Sequence, residues 1–220
     1  MFLEIADLLT PAEIGELRAI ARAATFVDGK ISNPHNLTKD NQQIDYAGEA
    51  YAKSSALLLD AYLRNPRFRE FAFPKRVAPP MLCRYAPGQR YGAHSDTSYA
   101  VVNGERMRFD VSSTVFLSDP AEYQGGELTV YLGDAPFRIK GRPGAAIVYP
   151  SSTIHEVAPV TAGERLVAIT FIESEIRDGA RRELLHTLNE VHAREGGRMD
   201  WQSRVLLQQV QHSLHRLWAE

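Results

Sequence analysis

The strongest constraint on the fold is a series of short β-rich runs that fills the middle of the chain, from residue 77 to residue 174. Turn-forming residues separate the runs, which cover residues 81–85, 111–117, 127–131, 145–149 and 166–172. Short strands at this spacing are typical of a β-sandwich or a small barrel. The sequence therefore predicts an α+β protein with a mostly β core.

Helical patterns flank this region on both sides. Thr10 and Glu13 form a capping-box pattern with proline at the first helical position, which predicts a helix over residues 11–24. A second helix is predicted over residues 48–64, where an Asn-Pro pair follows. After residue 174, apolar residues recur at helical spacing in two segments that a Gly-Gly pair separates.

These patterns divide the chain into three parts. We expect an N-terminal helical and loop region packed on the core (residues 1–76), a β domain (residues 77–174) and a C-terminal helical extension (residues 175–220). Residues 28–45 are rich in Asn, Asp and Gln without a sustained period, which predicts a long loop. Long loops often border sites, so this one is a candidate for selecting a substrate.

Charge, hydropathy and cysteine content limit the classes of binding partner and the cellular compartment that we expect for this protein. Lys and Arg total 25 against 27 Asp and Glu, and this net charge of −2 indicates no nucleic-acid partner. No apolar run approaches the roughly 18 residues that a membrane span needs, so we expect no membrane role. Cys83 is the single cysteine and cannot form an internal disulfide, which fits a reducing cytoplasm.

The first candidate site is a His-x-Asp pair formed by His94 and Asp96. In a strand, residues two apart point to one face, where an imidazole and a carboxylate can take two positions on a divalent metal. The pair alone would more often be a surface turn. However, residues 144–157 predict a strand, a Pro-Ser-Ser turn and a second strand that delivers His155 as a third ligand.

Arg165 is the second candidate, because it opens the β-rich run that follows a turn at residues 162–163. A guanidinium at the mouth of an apolar barrel needs an anionic partner, and its planar fork matches a carboxylate. A dicarboxylate co-substrate held at its far end would fit there. The alternative is a turn arginine that faces water or pairs with Glu164 or Glu156.

Together these residues resemble the signature of the prolyl-hydroxylase-like dioxygenases, which use Fe(II) and 2-oxoglutarate. The resemblance is closer still to the PKHD-type (PiuC-like) hydroxylases and covers most of the chain. The matching blocks are residues 27–29, 41–43, 84–85, 116–120, 125–128, 149–152 and 176–178. This resemblance implies a double-stranded β-helix, the jelly-roll or cupin-like fold, with helices at both ends.

The same resemblance implies roles for five residues. His94, Asp96 and His155 would bind Fe(II), Arg165 would bind the distal carboxylate of 2-oxoglutarate, and Tyr85 would hydrogen-bond this co-substrate. Taken alone, a strand tyrosine such as Tyr85 is more often a packing residue. The implied co-substrates are 2-oxoglutarate and O2, with ascorbate as an optional addition, and an intact Asp96 favours hydroxylation over halogenation.

The sequence does not identify the substrate. The family loop usually reads Trp-x-Asp-Gly, whereas this chain has Phe at residue 26 and a different segment over residues 31–37. A small-molecule or peptidyl substrate is expected, such as an amino acid, a protein side chain or a small metabolite. One alternative is a cupin-like metal-binding sensor or binding protein without turnover. Another is an interaction protein whose flanking helices form a dimer, and a homo-oligomer is also compatible with the enzyme.

Other residues are weaker candidates. His212 and His215 lie three apart on the last predicted helix, but their Gln, Ser and Arg neighbours favour a solvated face. Arg106 and Arg108 could meet an acidic substrate or edge a hairpin. The histidines without a partner in the sequence are His35, His186 and His192.

Overall fold

The computed structural model describes residues 1–33 and 36–220 of the chain. Its helices are α1 (Pro11–Ala23), α2 (Glu49–Arg64), α3 (Pro66–Ala72), α4 (Gly179–Glu195) and α5 (Trp201–Trp218), with short 3-10 turns at Gly29–Ser32 and Pro120–Glu122. Its strands are β1 (Leu3–Ile5), β2 (Phe26–Asp28), β3 (Lys39–Asp40), β4 (Gln42–Ile44), β5 (Pro74–Val77), β6 (Met81–Tyr85), β7 (Arg90–His94), β8 (Tyr99–Val102), β9 (Glu105–Arg108), β10 (Val111–Phe116), β11 (Tyr123–Gly125), β12 (Leu128–Leu132), β13 (Ala135–Ile139), β14 (Ala146–Pro150), β15 (His155–Val157), β16 (Val160–Gly163) and β17 (Arg165–Ser174).

The larger sheet is antiparallel and has the order β1-β14-β10-β17-β6-β4-β2, with β5 beside the second half of β17. Successive side chains of a strand point to opposite faces. Along β17, Val167 and Ile169 therefore pack in one core while Leu166 and Ala168 pack in the other. This strand connects the two cores of the protein.

The smaller sheet has the order β13-β12-β15-β7-β3. Its inward side chains, including Leu128, Val130 and Val157, share a buried cluster with the inward residues of β6, β10, β14 and β17. The two sheets thus face each other across an apolar interior, as in a sandwich or jelly-roll. The short pairs β8-β9 and β11-β16 are attached at the rims.

Helices α1, α2 and α3 cover the outer face of the larger sheet. The capping box that starts α1 is present, because Thr10 N–H donates to Glu13 Oε2 at 2.8 Å and Glu13 N–H donates to Thr10 Oγ1 at 3.3 Å. Fully buried Leu17, Leu58 and Tyr62 project from α1 and α2 into the outer core. Burial of this face fixes the helices against β6, β10 and β14.

The five predicted strands are confirmed as β6, β10, β12, β14 and β17, and the two predicted N-terminal helices are confirmed as α1 and α2. Helix α3 was not predicted. The Asn65 side chain accepts the backbone N–H of Phe68 at 3.1 Å and caps α3, while Pro66 occupies its first position. The Asn-Pro pair therefore ends one helix and begins the next.

The prediction of a long loop over residues 28–45 is wrong for the part that the structure describes. Strand β4 pairs with both β2 and β6 within the larger sheet, and Ile44 is fully buried. The polar composition misled because Gln43 is a buried polar residue and the strands are too short for a sustained alternation. His35 lies outside the described residues.

The two predicted C-terminal helices are confirmed as α4 and α5. A small core of Phe73, Ile176 and Leu185, with Leu214 and Trp218 against it, attaches them to the rest. Other apolar residues of the pair are exposed, namely Leu184, Val191, Trp201, Val205, Leu206, Val210 and Leu217. The homo-oligomer stays a prediction. None of the helices in the described residues is long and apolar enough to cross a bilayer.

Strand β4 gives a test of the fold. Ile44→Ala should lower the free energy of unfolding by about 2–5 kcal/mol, because it leaves a cavity in a packed core. Leu37→Ala in the same segment is the control, since Leu37 is 94% exposed and should change stability by less than about 0.5 kcal/mol. Urea denaturation measures both, and equally small losses would contradict the assignment of β4 to the core.

Candidate active site

Strand pairing brings His94 and His155 side by side inside the barrel. In the β7-β15 pair, His94 faces His155 and Tyr91 faces Val157, so β7 holds one residue more than β15 between these points. Such a β-bulge redirects side chains, and here Tyr91 and His94 stack with ring centroids 3.7 Å apart. The two imidazole centroids lie 4.3 Å apart.

Asp96 joins the histidines from a loop. The expectation that His94 and Asp96 share a strand is wrong, because β7 ends at His94. The N–H of Asp96 donates to the carbonyl of Ser151 at 3.1 Å, which ties this loop to the turn after β14. Asp96 Oδ1 then lies 3.8 Å from His94 Nε2, and Oδ2 lies 3.8 Å from His155 Nε2.

The three side chains can surround one ion. One ligand atom from each lies within 4.8 Å of the other two, and metal bonds to nitrogen or oxygen are about 2.0–2.2 Å long. Small side-chain adjustments would bring all three atoms onto a common ion. Two imidazoles and one carboxylate form the facial set that leaves positions open for other ligands.

Backbone carbonyls orient both imidazoles. Nδ1 of His94 lies 2.8 Å from the carbonyl of Gly92, and Nδ1 of His155 lies 2.9 Å from that of Thr153. A carbonyl only accepts, so each Nδ1 carries a hydrogen, and in the neutral form of each ring the lone pair is on Nε2, the nitrogen nearer to Asp96. Burial, followed by the neighbouring His155, lowers the pKa of His94 to about 4, so the ring is neutral near pH 7.

Two buried serines orient Asp96. Ser112 Oγ on β10 donates to Asp96 Oδ2 at 2.5 Å and also lies 2.7 Å from Ser151 Oγ. Oδ2 thereby accepts a hydrogen bond from a hydroxyl, while Oδ1 faces His94. Sequence reasoning did not identify Ser112 or Ser151. Their signals were weak, namely an inward position in a predicted strand and a place in the Pro-Ser-Ser turn.

Arg165 and Tyr85 lie together at the other end of the interior. They face each other in the β17-β6 pair, and the guanidinium carbon is 5.0 Å from the Tyr85 ring centroid. Arg165 is 1% exposed, and its Nε and Nη1 have no hydrogen-bond partner. It has no ion pair with Glu164 or Glu156 in the described structure, and Glu156 instead accepts the hydroxyl hydrogen of Tyr131 at 2.9 Å.

A cavity inside the barrel connects the two groups. Its lining includes Tyr85, Tyr91, His94, Asp96, Ser112, Thr114, Tyr149, His155, Arg165, Ile169 and Phe171. Burial raises the pKa of Tyr91 to about 12 and also raises the pKa values of Tyr85 and Tyr149, so these hydroxyls stay neutral. The guanidinium has no ion-pair partner in the described structure, and its planar fork is suited to a carboxylate.

The weaker candidates lie elsewhere. Arg106 stacks on the ring of Tyr99 in the β8-β9 hairpin, and Arg108 forms an ion pair with Asp110 at 2.8 Å. His215 Nε2 lies 2.9 Å from Glu175 Oε2. Within the described residues, none of the histidines of α4 and α5 belongs to a group of three potential metal ligands; these histidines are His186, His192, His212 and His215.

Comparisons with known proteins agree with this geometry. The family model of the 2OG-Fe(II) oxygenase superfamily matches residues 80–173. The chain is similar to the prolyl-4-hydroxylase of Pseudomonas putida, with a TM-score of 0.57 and 21% identity over 79% of this chain and 92% of that chain. It is also similar to HygX from Streptomyces hygroscopicus, solved with nickel and 2-oxoglutarate bound, with a TM-score of 0.54 and 16% identity over 77% and 81% of the chains. These likenesses confirm the jelly-roll fold.

A sequence relative decides the family. Over 215 residues, which are 98% of each chain, this protein is 54% identical to a PKHD-type hydroxylase of Sphingopyxis alaskensis. Identity at that level over the full length, together with the superfamily match, goes well beyond a shared fold. The chain belongs to the PKHD-type hydroxylases of the 2OG-Fe(II) oxygenase superfamily and is an Fe(II)- and 2-oxoglutarate-dependent hydroxylase.

Proposed function

We propose that His94, Asp96 and His155 hold the Fe(II) of this hydroxylase, and that Arg165 and Tyr85 hold the distal carboxylate of 2-oxoglutarate. The observation that carries this proposal is the pair of unsatisfied guanidinium nitrogens on a fully buried Arg165. A buried charge without a partner is costly, so a ligand carboxylate is the expected partner. The cavity that Arg165 lines also contains the three candidate iron ligands.

The side chains contribute geometry rather than acid-base catalysis. The bound iron and 2-oxoglutarate supply the oxidation, in which 2-oxoglutarate, O2 and a C–H bond give succinate, CO2 and a C–OH group. The two imidazoles and the carboxylate would hold the iron and leave coordination positions for 2-oxoglutarate and O2. Arg165 fixes the far end of the co-substrate, and the apolar walls exclude water.

The proposed substrate is amino-acid-like, peptidyl or a small metabolite. A prolyl group is the target that the name of the Pseudomonas putida neighbour states, and this supports the amino-acid-like and peptidyl classes. The sensor without turnover is no longer an alternative, because the relatives are hydroxylases.

The iron ligands can be tested without knowing the substrate. His94→Ala, Asp96→Ala and His155→Ala should each weaken Mn(II) binding more than about 100-fold, because loss of a ligand exceeds the 10–100-fold effect typical of outer-shell changes. Calorimetric titration of the metal-free protein measures this, with His212→Ala as the control on an exposed helix face. Wild-type affinity in all three variants would refute the ligand assignment.

The role of Arg165 predicts a separate defect. Arg165→Met should raise the apparent KM for 2-oxoglutarate by about 30-fold or more, since one partner of a buried charge pair is removed. Succinate release at varied 2-oxoglutarate concentration measures the change. Arg138→Met, at an exposed arginine of β13, is the matched control. Equal KM values in the two variants would exclude Arg165 from co-substrate binding.

The Ser112 hydroxyl should contribute to metal affinity through Asp96. Ser112→Ala removes the hydrogen bond to Oδ2 and should weaken Mn(II) binding by about 10–100-fold. The control is Ser152→Ala, an exposed serine in the turn beside Ser151. If both variants bind Mn(II) like the wild type in the same titration, Asp96 is oriented without Ser112.

A further inference from the structure

Lys39 is a buried lysine on the inner face of the barrel. It is 5% exposed, and it pairs with Tyr91 across β3 and β7. Its Nζ lies 5.2 Å from the centroid of the Tyr91 ring, which stacks on His94. The one hydrogen bond that the described residues give this ammonium goes to the hydroxyl of Ser32. The Lys39 ammonium therefore lies directly behind Tyr91, which lines the active-site cavity.

This ammonium has no carboxylate partner. No ion pair to Lys39 occurs among the described residues, and Pro34 and His35 carry no carboxylate. Burial lowers the pKa of Lys39, while Cys83, Asp96 and the exposed Asp28 offset part of that effect. The Tyr91 ring also favours the charged form through a cation-π contact. Lysines are almost never this buried unless they are paired.

Unsatisfied amides lie beside Lys39. Asn41 Oδ1 and both amide atoms of Gln43 are buried without a hydrogen-bond partner. Lys39, Asn41 and Gln43 alternate along an extended segment, and Gln43 pairs with Cys83, which belongs to the inner core. Among the described residues, Asn41, Gln43 and Arg165 are the ones whose side chains have buried polar atoms without a hydrogen-bond partner. Buried polar groups are normally hydrogen-bonded, so these atoms are places where a ligand or an ordered water would bind.

With iron(II) and 2-oxoglutarate bound, the positive charge of Lys39 has no negative charge in the site to balance it. The two positive charges of iron(II) and the one of Arg165 are balanced by Asp96 and by the two carboxylates of 2-oxoglutarate. Burial raises the pKa of the nearby Cys83 thiol to about 11, so this thiol is neutral and does not balance the charge of Lys39. One cation then remains in a closed interior, where an uncompensated charge is costly.

We propose that Lys39 binds a carboxylate of the substrate that is hydroxylated, and that Asn41 and Gln43 hydrogen-bond polar groups next to it. The substrate is thereby a carboxylic acid, either a small free acid or a peptide with an accessible carboxylate. This inference rests on the proposed function, because the charge balance assumes iron at His94, Asp96 and His155 and 2-oxoglutarate at Arg165.

The test uses acetate as the probe, with Mn(II) in place of iron and 2-oxoglutarate at saturation. Mn(II) shortens the relaxation times of the methyl protons of acetate that is bound nearby. In the wild type we expect this shortening to saturate as the acetate concentration rises. Acetamide, which is neutral and similar in shape, should give no saturable effect. Lys39→Met should weaken acetate binding by about tenfold or more, because the charged partner is lost. Lys39→Arg should retain binding, and the exposed Lys30→Met is the control.

The outcomes separate this inference from the proposed function. Affinities for Mn(II) and 2-oxoglutarate are measured first, and failure of the wild type to bind either one overturns both. If both bind but acetate shows no saturable effect, or Lys39→Met retains it, Lys39 is not an anion site. L-Glutamate and a capped Gly-Glu-Gly peptide then compete with acetate. Displacement by the amino acid indicates a small acid, displacement by the peptide indicates a peptidyl carboxylate, and displacement by neither contradicts a substrate site.

Discussion

The alternation of side chains along β17 is the constraint on which the site depends. Every second residue of this strand faces the helix-covered core, and the residues between them face the barrel interior. Packing of Leu166 and Ala168 against the helices therefore fixes the register that buries Arg165. A slip by one residue would turn this guanidinium to the outer face. The helices thus help to position the candidate active site, although none of the residues found to line its cavity belongs to a helix.

Much of this arrangement could be predicted from the sequence. The apolar runs were long enough to identify β6, β10, β12, β14 and β17, and the capping box identified α1. Spacing and resemblance together named His94, Asp96, His155, Arg165 and Tyr85, and the structure brings the first three together and pairs the last two. Catalytic chemistry of this kind needs particular residue types, so it leaves a readable pattern.

The features that the sequence did not reveal depend on tertiary pairing. A β-bulge between Tyr91 and His94 has no local signature, and only the pairing of β7 with β15 reveals it. The position of Asp96 beyond the strand likewise depends on a distant partner, the carbonyl of Ser151. Segment 28–45 looked like a loop because three of its buried side chains are polar, namely Lys39, Asn41 and Gln43. A periodicity test assumes that inward residues are apolar, and Lys39 and Gln43 violate this assumption.

That violation has a physical meaning. A chain that needed only stability would place apolar residues where Lys39, Asn41 and Gln43 lie, because replacing buried unpaired polar groups by apolar ones is often stabilising. Natural sequences break local rules mainly at functional sites. Arg165 breaks the same rule, and its expected partner is the 2-oxoglutarate that the family uses. By the same reasoning, the polar groups of β3 and β4 are matched to a second ligand, and the cation among them requires that ligand to be an anion.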